Sequence, residues 1–213
     1  MLRRQKTDKI ITIQKGKSSV GENIVIPLKT LLALIMFSVL AGCTDSSEDD
    51  AFELANNFYQ THQTSHPSGA LSLNELITFR RYLSTPLFNI LKDVSVAEET
   101  HQAQNDEDSP ALVEGDLFTA NPKGATSYRL LTCQVDEDHA NCSTEVIYND
   151  AKQPTPYKSI DRLALIRENG HWVIDNIVYG SAANSGMRQG DLHTYLQSIL
   201  GNNARKAALA VKQ

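Results

Sequence analysis

Cysteine and tryptophan are scarce: 213 residues hold three of the first and one of the second. So few cysteines exclude a disulfide-dense mini-scaffold, and 11 glycines with 7 prolines exclude a collagen-like rod. Long apolar runs are also missing. The one candidate, Leu31–Ala41, is eleven residues long, against about 20 for a bilayer span, so the chain is no polytopic membrane protein. What is present, 41% hydrophobic and 21% charged residues, suits one globular domain with its own core rather than a long disordered chain.

Charge is divided unevenly. Residues 1–42 carry a net +5, which leaves −10 on residues 43–213. A body this acidic lacks the cationic surface that phosphate recognition requires, so no nucleic-acid partner is expected. The same charge favours solubility and attracts basic partners at low salt.

The first 43 residues read as an address. Lys29 precedes the short apolar run, and small residues follow it, the pattern of a secretory signal. Leu40-Ala41-Gly42-Cys43 resembles a bacterial lipobox. That resemblance implies a lipid anchor on Cys43, with acyl chains such as palmitate holding the mature chain to the membrane. Thr44, rather than Asp, in second place implies the outer membrane, facing the periplasm. Residues 1–24 exceed the usual lead of such a signal, which places the translation start near Val25. The stretch 43–50 is Ser- and acid-rich and is read as a flexible tether.

Beyond it, Phe52, Ala55, Phe58, Tyr59 and His62 recur at helical spacing within Ala51–His62, with Asp49 and Asp50 as N-terminal acids. Ser72-Leu73-Asn74-Glu75 forms a capping box for a second helix. Ser84-Thr85-Pro86 opens a third, with Leu87, Phe88, Leu91, Val94 and Ala97 as its stripe. Glu98–Asp108 reads as an acidic loop. The period then switches to that of strands over Thr126–Val135, Cys142–Asn149, Ser159–Glu168 and His171–Tyr179. Leu192–Leu200 reads as a last helix, and Gly201–Gln213 as a frayed tail. Helices followed by an antiparallel sheet define an α+β domain over 51–200, with a curved sheet wrapped against the N-terminal helices.

Asn169-Gly170 is the strongest turn signal, because a type I′ turn needs positive φ twice. Centring the hairpin there pairs Glu168 with His171, Arg167 with Trp172, Leu165 with Ile174 and Ala164 with Asp175. Asp175 is then diagonal to Arg162 on one face, so a structural ion pair is expected. Arg167 is expected to stack on Trp172.

Cys133 and Cys142 flank the polar stretch Gln134–Asn141. Paired strands would set them opposite each other, and an oxidising envelope would close a disulfide; two free thiols or a redox pair are the alternatives. His62 and His66 have the i, i+4 spacing of zinc ligands. No Glu lies between them in a metalloprotease pattern and Pro67 ends the helix, so they read as solvated histidines and no metal is expected. A phosphate-binding glycine loop, a serine elbow, paired CxxC sites and a dinucleotide fingerprint are all missing, so no cofactor is expected.

Four segments then carry a resemblance: Asn57-Phe58-Tyr59-Gln60-Thr61-His62, Arg81-Tyr82-Leu83-Ser84 with Leu87, Gly115-Asp116-Leu117-Phe118, and the run from Leu165 through Trp172 to Tyr179. Together, over Phe52 to Leu200, the chain resembles small bacterial envelope lipoproteins of uncharacterised function with a nuclear-transport-factor-2-like (cystatin-like) roll. Such a fold implies a pocket between sheet and helices, for which Tyr59, Tyr82, Asp116, Arg129, Asp175 and Tyr179 are the candidate lining. Asp116 and Asp175 would be its acid/base groups if it were catalytic, since an apolar pocket raises a carboxyl pKa. Relatives often carry two acids where this chain has Asp175-Asn176. The fold hosts enzymes and binding modules alike. The first reading is a non-catalytic envelope lipoprotein that binds a small molecule or another envelope protein. An immunity-type inhibitor of a basic toxin or hydrolase, and an isomerase or dehydratase using an Asp general base, stand as alternatives.

Overall fold

The computed structural model describes residues 45–105, 109–180 and 186–210. Cys43, the signal-like segment and the start near Val25 lie outside them. The elements are α1 (Asp45–Ser65), α2 (Leu73–Phe79) with a 3₁₀ turn at Arg80–Tyr82, α3 (Thr85–Gln104), β1 (Ser127–Asp136), β2 (His139–Tyr148), β3 (Tyr157–Glu168), β4 (His171–Val178) and α4 (Leu192–Ala210). The domain is α+β, with one antiparallel sheet in the order β1-β2-β3-β4. Among the described residues, no helix is long and apolar enough to cross a membrane.

Local chemistry accounts for the element starts. Ser72 closes its capping box: its N–H donates to Glu75 Oε2 at 2.7 Å, and its Oγ accepts from the Glu75 N–H. Ser84 caps α3 by accepting the Leu87 N–H at 3.1 Å, with Pro86 in the first turn. Asn169 and Gly170 have φ of 53° and 81° and close the β3–β4 hairpin. Both left-handed positions suit an Asn-Gly pair, since Gly carries no Cβ and Asn tolerates that region.

Element ends depart from the expected ones. α1 begins at Asp45, so from there the stretch read as a tether is helical, and Asp49 and Asp50 lie inside the helix. Two contacts from β3 and β4 fasten this extension: Arg167 Nη2 donates to Ser47 Oγ at 2.7 Å, and Trp172 Nε1 donates to the Ser47 carbonyl at 3.0 Å. Helix α3 runs on to Gln104 through the residues read as an acidic loop. Glu98 is buried there because its carboxylate accepts the N–H groups of Leu112 and Val113 at 2.8 and 3.1 Å. The stretch read as a frayed tail is helical as far as Ala210.

The core forms where α1 lies along β1 and β2, while α3 and α4 pack together at the β4 end. Phe58 is its centre, with edge contacts to the rings of Tyr59, Phe79, Tyr82 and Phe118. Such fully buried aromatics are worth about 3–5 kcal/mol each on truncation. The free edge of β4 is covered: Ser84 N–H donates to the Ile174 carbonyl at 2.8 Å, and Tyr179 N–H to the Gly190 carbonyl at 2.9 Å. The β1–β2 turn is only Glu137–Asp138, which sets Cys133 opposite Cys142, and the two are joined by a disulfide. Both sulfurs are buried.

Candidate functional site

The buried half of the candidate lining is built around the loop from Val113 to Gly124. Gly115 turns it at φ +70°, where a Cβ would sit 2.1 Å from the Pro122 carbonyl oxygen. Only glycine allows that approach. Asp116 follows, and its N–H donates to that same carbonyl at 2.8 Å. Its carboxylate then accepts from the Phe118 N–H at 2.7 Å, from Thr119 Oγ1 at 3.3 Å and from His62 Nε2 at 2.6 Å. Asp116 thus ties the loop to itself and to α1, in a place where 2% of it is exposed.

Asp161 does similar work from β3. Its two oxygens accept the Ala120 N–H at 2.8 Å and the Gly180 N–H at 3.0 Å. Burial pushes its carboxyl above the usual carboxylate range, against the opposing pull of those two N–H groups. Tyr179 donates its hydroxyl to the Leu117 carbonyl at 2.7 Å. Burial raises the phenols of Tyr59 and Tyr179, and the nearby charges of Asp116 and Asp161 add to the effect. The interior between sheet and helices is therefore polar in places but packed, and its carboxylates are occupied by the chain's own donors.

Of the six residues expected to line one pocket, the structure gathers Tyr59, Asp116 and Tyr179 around this buried cluster. The other three lie elsewhere. Tyr82 is buried below α1, hydrogen-bonded to Thr61 Oγ1 at 2.8 Å. Arg129 is exposed, its guanidinium 3.1 Å from Glu145 beside Lys158. That arrangement holds Glu145 below the usual carboxylate range, chiefly through the Arg129 hydrogen bond.

Asp175 is displaced by a β-bulge. Ala164 pairs with Asn176 rather than Asp175, and Leu165 with Ile174, so one extra residue sits on β4. Arg162 then faces Val178 and is exposed. The expected Arg162–Asp175 ion pair does not form among the ion pairs of the described residues. Asp175 instead accepts the Ser84 hydroxyl at 2.6 Å, and Glu168 accepts the Thr85 N–H at 2.8 Å. Two acids thus hold the start of α3, where the helix dipole favours negative charge. The expected stack of Arg167 on Trp172 is present at 4.2 Å.

His62 was read as solvated and is buried instead, with its Nδ1 lacking a partner. Its place on the stripe of Ala55, Phe58 and Tyr59 pointed inward. Asp161 alternates with the buried Leu163 and Leu165 along β3, a second missed signal. His66, past the end of α1, is exposed at φ 47°, and His62 Nε2 is engaged by Asp116.

Open space lies on the outer side of α1. One groove of about 680 Å³ runs between α1 and the α2–3₁₀ segment, lined among others by Asn57, Gln60, Thr61, Thr64, Thr78 and Arg81. A second, about 420 Å³, adjoins it and shares Leu54, Asn57 and Arg81, adding Asp50, Glu53, Arg167 and His171. Of the six expected lining residues, only Tyr82 borders the larger groove. Comparisons of the chain with protein-family models, curated proteins and solved structures find no match.

Proposed function

We propose that this protein is a non-catalytic binding module of the bacterial envelope, anchored by lipid on Cys43 and using a nuclear-transport-factor-2-like (cystatin-like) roll as its scaffold. The lipobox-like Leu40-Ala41-Gly42-Cys43 and the helices preceding a four-stranded antiparallel sheet support that reading. One observation carries the non-catalytic part. The two carboxylates offered as acid/base groups are spoken for, Asp116 by three donors inside the core and Asp175 by Ser84. The larger groove is lined mainly by hydroxyl and amide side chains with the always-charged guanidinium of Arg81, which position a ligand without supplying a carboxyl or imidazole acid or base.

In-cell photo-crosslinking tests it. A photoreactive residue at Asn57 should give a discrete protein adduct, and one at Gln134, exposed on β1 away from both grooves, should give none. Equal labelling at both positions, or none at either, would refute the binding role. A basic hydrolase as the captured protein would make the chain its inhibitor. For the anchor, Cys43→Ala should abolish incorporation of labelled palmitate; labelling that survives would remove the lipid from the account.

A further inference from the structure

Resting on the binding-module reading, the geometry points to an extended acidic peptide segment of a partner protein as the occupant of the larger groove, its carboxylate held by Arg81. Charge is the first ground. The body of the chain carries −10, yet among the described residues Arg81 is the one charged residue lining this groove. None of the ion pairs among the described residues involves it. Its guanidinium is nonetheless held in place: Nη2 donates to the Tyr82 hydroxyl, which is itself hydrogen-bonded to Thr61, and the group lies 4.7 Å from the centre of the Tyr82 ring. A fixed guanidinium with donors to spare suits a carboxylate.

Shape and lining are the second ground. Leu54 to Ser65 spans eleven helical steps, about 17 Å, the length of about five extended residues. Asn57 and Gln60 offer amide donors and acceptors; Thr64 and Thr78 give their hydroxyl protons to the Gln60 and Asn74 carbonyls and Thr61 pairs with the Tyr82 hydroxyl, so these three add acceptor oxygens, on both walls. Mixed donors and acceptors along the length match the alternating N–H and C=O groups of a peptide backbone. A sugar ring would want an open aromatic face, and Tyr82 is only 4% exposed. The adjoining groove adds Asp50 and Glu53, which confines the acidic stretch to the Leu54–Ser65 half.

Fluorescence anisotropy on the full chain in detergent tests the assignment. The probes are labelled Gly-Ser-Glu-Ser-Gly amide, its Gln counterpart, and the Gln peptide with a free C-terminal carboxylate, which separates side-chain from terminal carboxylates. At least one carboxylate peptide should bind about tenfold more tightly than the neutral amide, and added salt should erase the difference. Arg81→Gln should abolish it, Thr64→Asp should do so from the opposite wall, and Arg162→Gln should leave it intact. Equal binding of all three peptides, no binding, or retained preference in both groove variants would overturn the assignment. Arg81-dependent binding of an acidic oligosaccharide with none of the peptides would overturn it too. An adduct at Asn57 together with failed peptide binding would leave the binding module standing and remove only its acidic-peptide ligand.

Discussion

The loop around Asp116 and the groove around Arg81 are both polar, and they lie on opposite sides of α1's contribution to the fold. In the first, each charged oxygen finds a donor from the chain itself, and the cluster is sealed from solvent. In the second, a guanidinium is exposed and, among the described residues, held only by its neighbouring tyrosine. The contrast teaches that acid/base residue types in the interior of an α+β domain can be fasteners, while the exposed Arg81 guanidinium has no carboxylate partner among the described residues.

The largest blow to that contrast should come from Asp116→Ala. It strips the partners of the Phe118 N–H and His62 Nε2 at once, Thr119 keeping the Asn121 carbonyl at 2.8 Å, and should cost about 3–4 kcal/mol in urea unfolding. A loss below about 1 kcal/mol would mean that the loop is held by other means. Removing both Cys133 and Cys142 by Ala substitution should cost about 2–3 kcal/mol by opening a short loop, while the domain stays folded. Mass spectrometry of a non-reduced digest checks the bridge itself.

Asp161 sharpens the comparison through pH. Its carboxyl binds a proton more tightly folded than unfolded, because burial disfavours the charge. Stability from this group therefore rises as pH falls through its folded-state pKa, and levels off below the unfolded value of about 3.9. Denaturant unfolding between pH 7 and pH 4 should show the wild type gaining on Asp161→Asn as pH falls. Wild type losing ground to Asp161→Asn toward acid would contradict a raised pKa.

Smaller effects belong to the outer residues. Asp175→Asn keeps an acceptor for the Ser84 hydroxyl but loses charge at the α3 start, for about 0.5–1 kcal/mol. Arg162→Met should change stability by less than about 0.5 kcal/mol. The double variant should be additive; a coupling above about 0.5 kcal/mol would restore the ion pair that the bulge removes.

Much of the scaffold was legible because it rests on short-range chemistry. The Ser72–Glu75 box, the Ser84 cap and the Asn169-Gly170 turn are each determined within a few residues, and the hairpin register follows as far as Leu165 and Ile174. The next step fails because Asp175 and Asn176 are both polar. Alternation has nothing there to mark an inserted residue, and the bulge is stabilised by Ser84, 91 positions away. Helix ends fail for a like reason: Glu98 looked like solvent-facing charge until Leu112 and Val113 supplied its donors. The candidate site was half legible. The inward stripe of α1 includes His62, but its partner lies 54 residues on, and nothing local announces it. Arg81 was singled out only within a resemblance segment, because an unpaired guanidinium is recognised by what fails to surround it.

The fastening of Ser47 by Arg167 and Trp172 bears on reach. Four links separate Cys43 from Ser47, at most about 14 Å of chain. A lipid on Cys43 would hold the domain on a short leash rather than a long one. The end of α1 that starts the second groove would stay within a headgroup layer's distance of the bilayer, and whatever occupies that groove would have to come down to the membrane to be met.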